Sequence, residues 1–315
     1  MNGVYSEWRD VTSSVIQGSV LGPILFVIYI NDIDTCMGQR EGFVSKFADD
    51  TKIAKVITDK KSAAEMQEVI NNLETWCIAW GMQFNVKKCG ILHFGHNNTK
   101  FEYKLNGETL QTLTTQRDLG VLVSDNCLPG NQCALAAKKA NQVLGQINRS
   151  FSCKTKDVML QIFKVFVRPH LEYAVTAWSP WHKKDADALE RIQHRATRRM
   201  SDVRGNYQER LQLLGLTTLE ERRKRGDAIE VFKYLRGFLD VDRESLFKTN
   251  NSLDPKTRHQ KSFMPLHIPR ARLDLRKNFF TVRGANLWNG LPKEVRESNT
   301  VNRFKNTYDA YMMRV

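Results

Sequence analysis

No stretch of this 315-residue sequence is apolar for long enough to cross a bilayer: the longest run, residues 20–30, is broken by Gly22 and Pro23, whereas a spanning helix needs about 20 apolar residues. A membrane partner is therefore not expected. No basic segment followed by an apolar one opens the chain, so the expected location is intracellular, nucleus or cytoplasm, and not secreted. The six cysteines, Cys36, Cys77, Cys89, Cys127, Cys133 and Cys153, are then read as reduced thiols rather than a disulfide framework. They form no CxxC pair. Cys89, His93 and His96 offer three ligands where structural zinc takes four, and Cys127, Cys133 and Cys153 have no finger spacing. Gly-rich phosphate loops, a Ser/His/Asp array, fixed-period repeats and low-complexity tracts are absent as well.

Positive charge is scarce in the first part of the chain. Residues 1–125 hold 12 Lys/Arg against 15 Asp/Glu, a net of −3, and residues 126–315 hold 36 against 19, a net of +17. A surplus of that size attracts polyanions and fits a phosphate-backbone partner; a solvated basic surface is the plain alternative. With 41% hydrophobic and 26% charged residues, the composition excludes disorder as the default and allows about two domains.

Along the chain, residues 7–12 read as a short strand, and Pro23 sits where a helix begins, with Asn31-Asp32 ending it. That helix is apolar on nearly every side and is expected to be buried on nearly every side. Residues 43–55 read as a hairpin with Asp49-Asp50 at its tip. Met66, Val69, Ile70, Leu73, Cys77 and Trp80 recur at three and four, which predicts an amphipathic helix over 61–80. Short strands are expected at 83–86, 90–94, 103–105 and 119–123, with Asn106-Gly107 as a hairpin turn. Helices laid on one antiparallel sheet are the expected arrangement.

From about residue 132 the period is helical. Ala136, Ala140, Val143, Leu144, Ile147 and Phe151 mark one face, and Val158, Ile162, Phe163 and Phe166 another, ended by Pro169. Residues 185–199 place Leu189, Ile192 and Ala196 inward and Arg191, Arg195, Arg198 and Arg199 outward. Thr218-Leu219-Glu220-Glu221 is a capping-box pattern. It opens a helix carrying Arg222, Arg223, Lys224 and Arg225 near its N-terminus, where basic side chains oppose the macrodipole. Past Gly237 the chain is loop-like and basic through Ser262, and Phe279-Phe280, Leu287-Trp288, Leu291-Pro292 and Phe304 then predict a small closing subdomain.

The Asp49-Asp50 pair is the most pointed feature. Asp is an ordinary turn residue, but two in a row between strands also present oxygen to a hard cation. Phosphoryl transfer to a growing strand can be run by two divalent ions about 4 Å apart. Magnesium takes carboxylate and phosphate oxygens and keeps several waters. One Asp-Asp hairpin fits one arm of such a site, and the other arm needs a carboxylate from a neighbouring strand.

Phe47-Ala48-Asp49-Asp50, preceded by Gln17-Gly18-Ser19-Val20-Leu21-Gly22-Pro23 and Tyr29-Ile30-Asn31-Asp32, resembles the reverse transcriptases of non-LTR (LINE-type, jockey-like) retrotransposons. The likeness continues through Trp80-Gly81-Met82-Gln83-Phe84-Asn85, Lys87-Lys88-Cys89, Asp118-Leu119-Gly120-Val121, Arg168-Pro169-His170-Leu171-Glu172-Tyr173-Ala174 and Leu189-Glu190-Arg191-Ile192-Gln193. The implied fold is α+β: a partial palm over 1–125, an antiparallel sheet with helices; a helical basic thumb over 126–239; and a basic C-terminal region over 240–315.

The resemblance implies that Asp49 is a ligand shared by two magnesium ions, with Asp50 its weaker neighbour. Phe47 and Ala48 would lie against the primer 3′ end. Gln17 and Gly18 would sit near the template base and the incoming deoxynucleoside triphosphate, and Lys87 or Lys88 near the triphosphate. Leu119, Gly120 and Val121 would be the primer grip. The basic helices, with Arg191, Arg195, Arg198, Arg199, Arg222, Arg223, Lys224 and Arg225, would track the phosphates of an RNA/DNA duplex formed on an RNA template. Nothing in the sequence reports an oligomeric state. The family has Gly-Val-Pro before Gln-Gly where this chain has Ser14-Val15-Ile16. Its third catalytic Asp lies on an earlier strand, for which Glu7 and Asp10 cannot stand in, so the 315 residues alone are expected not to polymerise. Two other readings stay open: a non-catalytic RNA or DNA binder that uses the basic thumb, and a non-functional product of a degraded element.

Overall fold

Pro23 lies in the first turn of α1 (Gly22–Tyr29), where its missing N–H is one that the helix would leave unpaired anyway. The Gly22 amide donates to Ser19 Oγ at 3.0 Å. A computed structural model describes Glu7, Asp10, Val15, residues 18–249 and residues 265–314. The strand expected over 7–12, Gln17 and the end of the basic run to Ser262 lie outside them or rest mostly on residues outside them. The chain divides into two compact units, Met1–Thr114 and Thr115–Val315.

In the first unit, α1 departs from expectation. Only Phe26 and Tyr29 of this helix pack against a core, while Ile24, Leu25, Val27 and Ile28 are exposed. Apolarity on every side requires a neighbour on every side, and the described residues supply one on a single face. A short 3-10 helix, Ile33–Met37, follows. β1 (Phe43–Phe47) and β2 (Asp50–Ala54) then pair antiparallel with Phe47 opposite Asp50. This register leaves Ala48-Asp49 as a two-residue turn.

α2 (Lys60–Ala79) opens on a reciprocal cap, with the Ser62 amide donating to Asp59 Oδ1 at 2.7 Å and the Asp59 amide to Ser62 Oγ at 3.0 Å. Val69, Ile70, Leu73, Trp76 and Cys77 are buried along it. Trp76 takes the place expected of Trp80. It lies three residues after Leu73 on the buried face and donates to Asp32 Oδ1 at 3.0 Å, whereas Trp80 is the C-cap residue and is 42% exposed.

Among the described residues, the expected single antiparallel sheet is four separate two-stranded ladders instead. β3 (Gly90–Leu92) pairs parallel with β6 (Gln111–Leu113), and β4 (Lys104–Leu105) pairs antiparallel with β5 (Glu108–Thr109). Asn106 and Gly107 both take positive φ, 52° and 76°, as a primed hairpin turn requires. Strands of two to five residues with one partner each leave only short edges unpaired. Residues 83–85 form no strand and lead into a 3-10 turn, Val86–Lys88.

The second unit opens with the hairpin β7 (Thr115–Asp118) and β8 (Val121–Ser124). It continues through α3 (Gly130–Ser150), α4 (Lys156–Ile162) and a π-helical turn, Phe163–Val167. The extra residue of the π turn re-phases the helix, so Phe163 and Val167 are buried while Phe166 faces outward. Pro169 does not end the helical run. It falls in the first turn of α5 (Arg168–Glu172), where no N–H is needed.

α6 (Val175–Trp178), α7 (Lys183–Arg198), α8 (Tyr207–Leu213) and α9 (Leu219–Leu235) follow. One core gathers Ala140, Leu144, Phe163, Leu171, Leu189, Ile192 and Leu219, and full burial of a Leu or Phe contributes roughly 1.5–3 kcal/mol. After α10 (Arg243–Leu246), α11 (Asp274–Lys277), α12 (Phe280–Gly290), α13 (Lys293–Arg296) and α14 (Val301–Met312), Trp288, Leu291 and Phe304 share a second core with Val231 and Phe232 of α9. Phe304 stacks on Phe232 with ring centroids 4.4 Å apart.

Candidate metal-binding hairpin and basic surface

Val44 and Ile53 sit inside the two arms of the β1–β2 hairpin and pack on the first unit's core. The arms are tied down by Lys46 to Asp34 at 3.3 Å and Lys55 to Glu65 at 2.9 Å. What projects is the tip, where Phe47, Ala48, Asp49 and Asp50 are all exposed. Ala48 holds φ 50°, a left-handed conformation that costs a non-glycine residue roughly 1–2 kcal/mol. Strain of this kind is retained where the surrounding structure imposes it, and here it delivers two consecutive carboxylates to one exposed turn.

The donor chemistry of that turn fits a hard divalent cation. Its count fits one arm of a coordination shell, because among the described residues no group of three or more His, Cys, Asp or Glu is placed to hold a metal. Gly18 is exposed with φ 85°, and its companion Gln17 lies outside the described residues. Lys87 and Lys88 are exposed on the 3-10 turn of the first unit.

Leu119 and Gly120 form the β7–β8 turn, and Val121 opens β8. Both turn residues are left-handed, with φ 44° and 85°. On α7 the four arginines Arg191, Arg195, Arg198 and Arg199 are exposed opposite buried Leu189, Ile192 and Ala196. Arg195 donates to Asn141 Oδ1, and Arg191 Nε to the Asp187 carbonyl at 3.2 Å.

The Arg222–Arg225 cluster has a different setting. Arg222 makes a two-pronged pair with Glu172, its Nη2 donating to Oε2 at 2.9 Å. Arg225 grips Asp309 through Nε and Nη2 at 2.6 and 2.7 Å, Lys224 reaches Glu220 at 2.8 Å, and Arg223 is 5% exposed. These intramolecular partners account for basic residues at a helix N-terminus that the macrodipole disfavours. The capping box itself is present, with the Glu221 amide donating to Thr218 Oγ1 at 3.2 Å and the Thr218 amide to Glu221 Oε2 at 2.8 Å.

A groove in the second unit was not legible in the sequence. It is lined by Arg117, Gly120, Gln132, Lys139, His170 and Tyr173 among others, which come from β7, the turn, α3, α5 and its C-cap. Only the helical spacing of His170 and Tyr173 hinted at a shared face. Among the described residues no helix is long and apolar enough to cross a membrane.

Residues 1–146 match the family model described as reverse transcriptase (RNA-dependent DNA polymerase). The chain is 24% identical over 219 residues to the RNA-directed DNA polymerase from mobile element jockey of Drosophila melanogaster, covering 64% of this chain and 23% of that protein. It is 22% identical over 210 residues to the jockey polymerase of Drosophila funebris, with the same coverage. It is 26% identical over 236 residues to the probable RNA-directed DNA polymerase from transposon BS of Drosophila melanogaster, covering 69% of this chain and 26% of that protein. The chain thus spans about a quarter of the length of these curated relatives. No solved structure matches it.

Proposed function

We propose that this chain, a member of the reverse transcriptases of non-LTR retrotransposons, is the part of a mobile-element RNA-directed DNA polymerase that supplies the Asp-Asp arm of a two-metal site and a basic surface for the RNA/DNA duplex. The observation that carries the reading is the exposed Ala48-Asp49 turn with Asp50 beside it at the head of β2. Asp49 and Asp50 would hold magnesium, which supplies an activated 3′ hydroxyl and neutralises the leaving pyrophosphate. Phe47 and Ala48 would flank the primer terminus. Gln17, Gly18 and Lys87 or Lys88 would face template and deoxynucleoside triphosphate. Arg191, Arg195, Arg198 and Arg199 are the arginines best disposed toward duplex phosphates, since their helix buries its other face and such contacts position a duplex without reading its sequence.

Two carboxylates leave such a site half built, so the 315 residues by themselves are expected to give no primer extension. The experiment is extension of a DNA primer on an RNA template by the purified chain. Extension lost in Asp49→Ala would keep the metal role and overturn the expected inactivity, and extension that survives Asp49→Ala would overturn the metal role. A binder without catalysis is the second reading, favoured by the net charge of +17 over residues 126–315.

A further inference from the structure

Residues 268–279 interleave basic and apolar side chains. Arg270, Arg272, Arg276 and Lys277 stand against a single acid, Asp274, and all five are exposed, as are Ile268, Leu273 and Phe279. Lys277 pairs with Asp274 at 2.9 Å, whereas the Arg270 and Arg272 side chains have no hydrogen-bond or ion-pair partner among the described residues. The Arg276 guanidinium lies 5.4 Å from the centre of the Phe279 ring, and the ring is still 50% exposed. Phe279 is the N-cap residue of α12 and makes no side-chain cap. Ser, Thr, Asn or Asp would serve the helix better there, so the ring is not present for the helix's own benefit.

The connection between α6 and α7 comes to the same place. Arg283 donates through Nη2 to the Thr176 carbonyl of α6 and through Nη1 to the Asn278 carbonyl just after α11, the latter at 2.8 Å, so one guanidinium fixes the two segments together. The hydrogen bond and charge of Lys277 hold the Asp274 carboxyl below its ordinary 3.8, and His182 of the connection adds to the effect. His182 is exposed and Trp181 half-buried, with their rings 5.6 Å apart. Trp181, His182 and Phe279 are thus aromatic rings on one face with the arginines of residues 268–279, although they come from opposite sides of the second unit's sequence.

Cations follow phosphates on any strand, but exposed rings find no free base face along a duplex, whose bases stack on one another. An unpaired strand offers both phosphates and base faces. We propose that this face binds single-stranded nucleic acid, with Trp181 and Phe279 stacking on bases and Arg270, Arg272 and Arg276 on the phosphates. The proposal rests on the reading of the chain as part of a nucleic-acid polymerase. It adds a different partner, an unpaired strand outside the duplex, held by residues that the α7 arginines do not include.

The test is fluorescence anisotropy of the whole 315-residue chain with a short fluorescein-labelled oligo(dT) and with an abasic strand of the same length. The unaltered chain should bind oligo(dT) more tightly than the abasic strand. Phe279→Leu, which keeps an apolar side chain at the head of α12, and Trp181→Ala should each weaken oligo(dT) binding about fivefold or more, the equivalent of about 1 kcal/mol per stacked base. Both should leave the abasic strand and an RNA/DNA duplex bound as before, which a loss of fold would not. Arg270→Gln together with Arg272→Gln should lower the slope of log K against log salt for oligo(dT) by about 1.4. Equal affinity for oligo(dT) and the abasic strand in the unaltered chain, or unaltered oligo(dT) binding in both ring variants, overturns the proposal. So does binding of phosphatidylserine vesicles that these variants abolish while oligo(dT) binding persists, since the face then belongs to an anionic membrane. If duplex binding depends on the α7 arginines and oligo(dT) binding does not depend on the rings, the duplex surface stands and this face alone fails. If the unaltered chain binds neither strand nor duplex at low salt, both fail together.

Discussion

Arg283 of α12 and Asp227 of α9 form a two-pronged pair, Nε to Oδ2 at 2.8 Å and Nη2 to Oδ1 at 3.0 Å, with Asp227 only 5% exposed. The same guanidinium donates through Nη1 to the Asn278 carbonyl at 2.8 Å and through Nη2 to the Thr176 carbonyl. One side chain therefore links α9, α6 and the start of α12. Burial raises the Asp227 carboxyl above its ordinary 3.8, and Arg283 opposes that shift. Removing the arginine takes away the hydrogen-bonded partner of a buried charge and leaves it only the more distant Arg223; breaking such a buried pair typically costs about 3–5 kcal/mol. Arg283→Ala is predicted to lose stability on that scale in urea denaturation at pH 7. The variant's folded-state pKa lies further above the unfolded one, so the loss is smallest below pH 3.8 and grows as pH rises through the folded value. Arg283→Met with Asp227→Leu should recover most of it.

The thiols separate by environment. Burial pushes Cys77 to about 11 and, with Asp185 adding to it, Cys133 to about 12. Cys153 is exposed and lies below the ordinary 9.0 because Thr155 hydrogen-bonds to it through backbone and side chain. The thiolate is the nucleophile, and a lowered pKa means more of it at pH 7–8. Labelling with N-ethylmaleimide, followed by peptide mass spectrometry, is expected to modify Cys153 first and faster as pH rises. Cys77 and Cys133 are expected to react only after unfolding.

The exposed arginines of α7 predict a salt effect. Replacing Arg191, Arg195, Arg198 and Arg199 together by Gln leaves Leu189, Ile192 and Ala196 in place, so the fold should survive. Each phosphate contact removed lowers the slope of log K against log salt by about one. The fourfold variant is therefore expected to lose several units of slope for RNA/DNA duplex binding, measured by fluorescence anisotropy. The corresponding change in Arg222 or Arg225 should act on stability instead, because Glu172 and Asp309 hold them.

Local chemistry carried far in the sequence. The hairpin over residues 43–55, the Asn106-Gly107 turn, the Thr218–Glu221 cap and the buried stripe of α7 are each written in a few neighbouring residues, although the hairpin's two-residue turn is Ala48-Asp49, one residue before the expected Asp49-Asp50. What was not legible depends on partners far along the chain: Arg222 with Glu172 is 50 residues apart, Tyr173 with Leu119 is 54, and Arg225 with Asp309 is 84. The π turn at Phe163–Val167 defeated the periodicity argument because it adds a residue to one turn, and Val167 takes the buried place expected of Phe166. The apolar sequence of α1 gave the wrong burial for a related reason: composition says what a surface prefers and not whether a neighbour is there. Among the candidate residues, Asp49 and Asp50 stand out by residue type and adjacency, whereas the groove residues Arg117, Lys139 and His170 are ordinary in their own stretches.

The central claim is that Asp49 and Asp50 form a divalent-metal arm, and manganese, a paramagnetic stand-in for magnesium, tests it most directly. In an NMR titration of the 315-residue chain with Mn²⁺, the amide signals of Ala48, Asp49 and Asp50 are predicted to broaden before all others, and the effect should vanish in Asp49→Asn. Broadening that begins elsewhere, or that persists at the hairpin in Asp49→Asn, would contradict the claim.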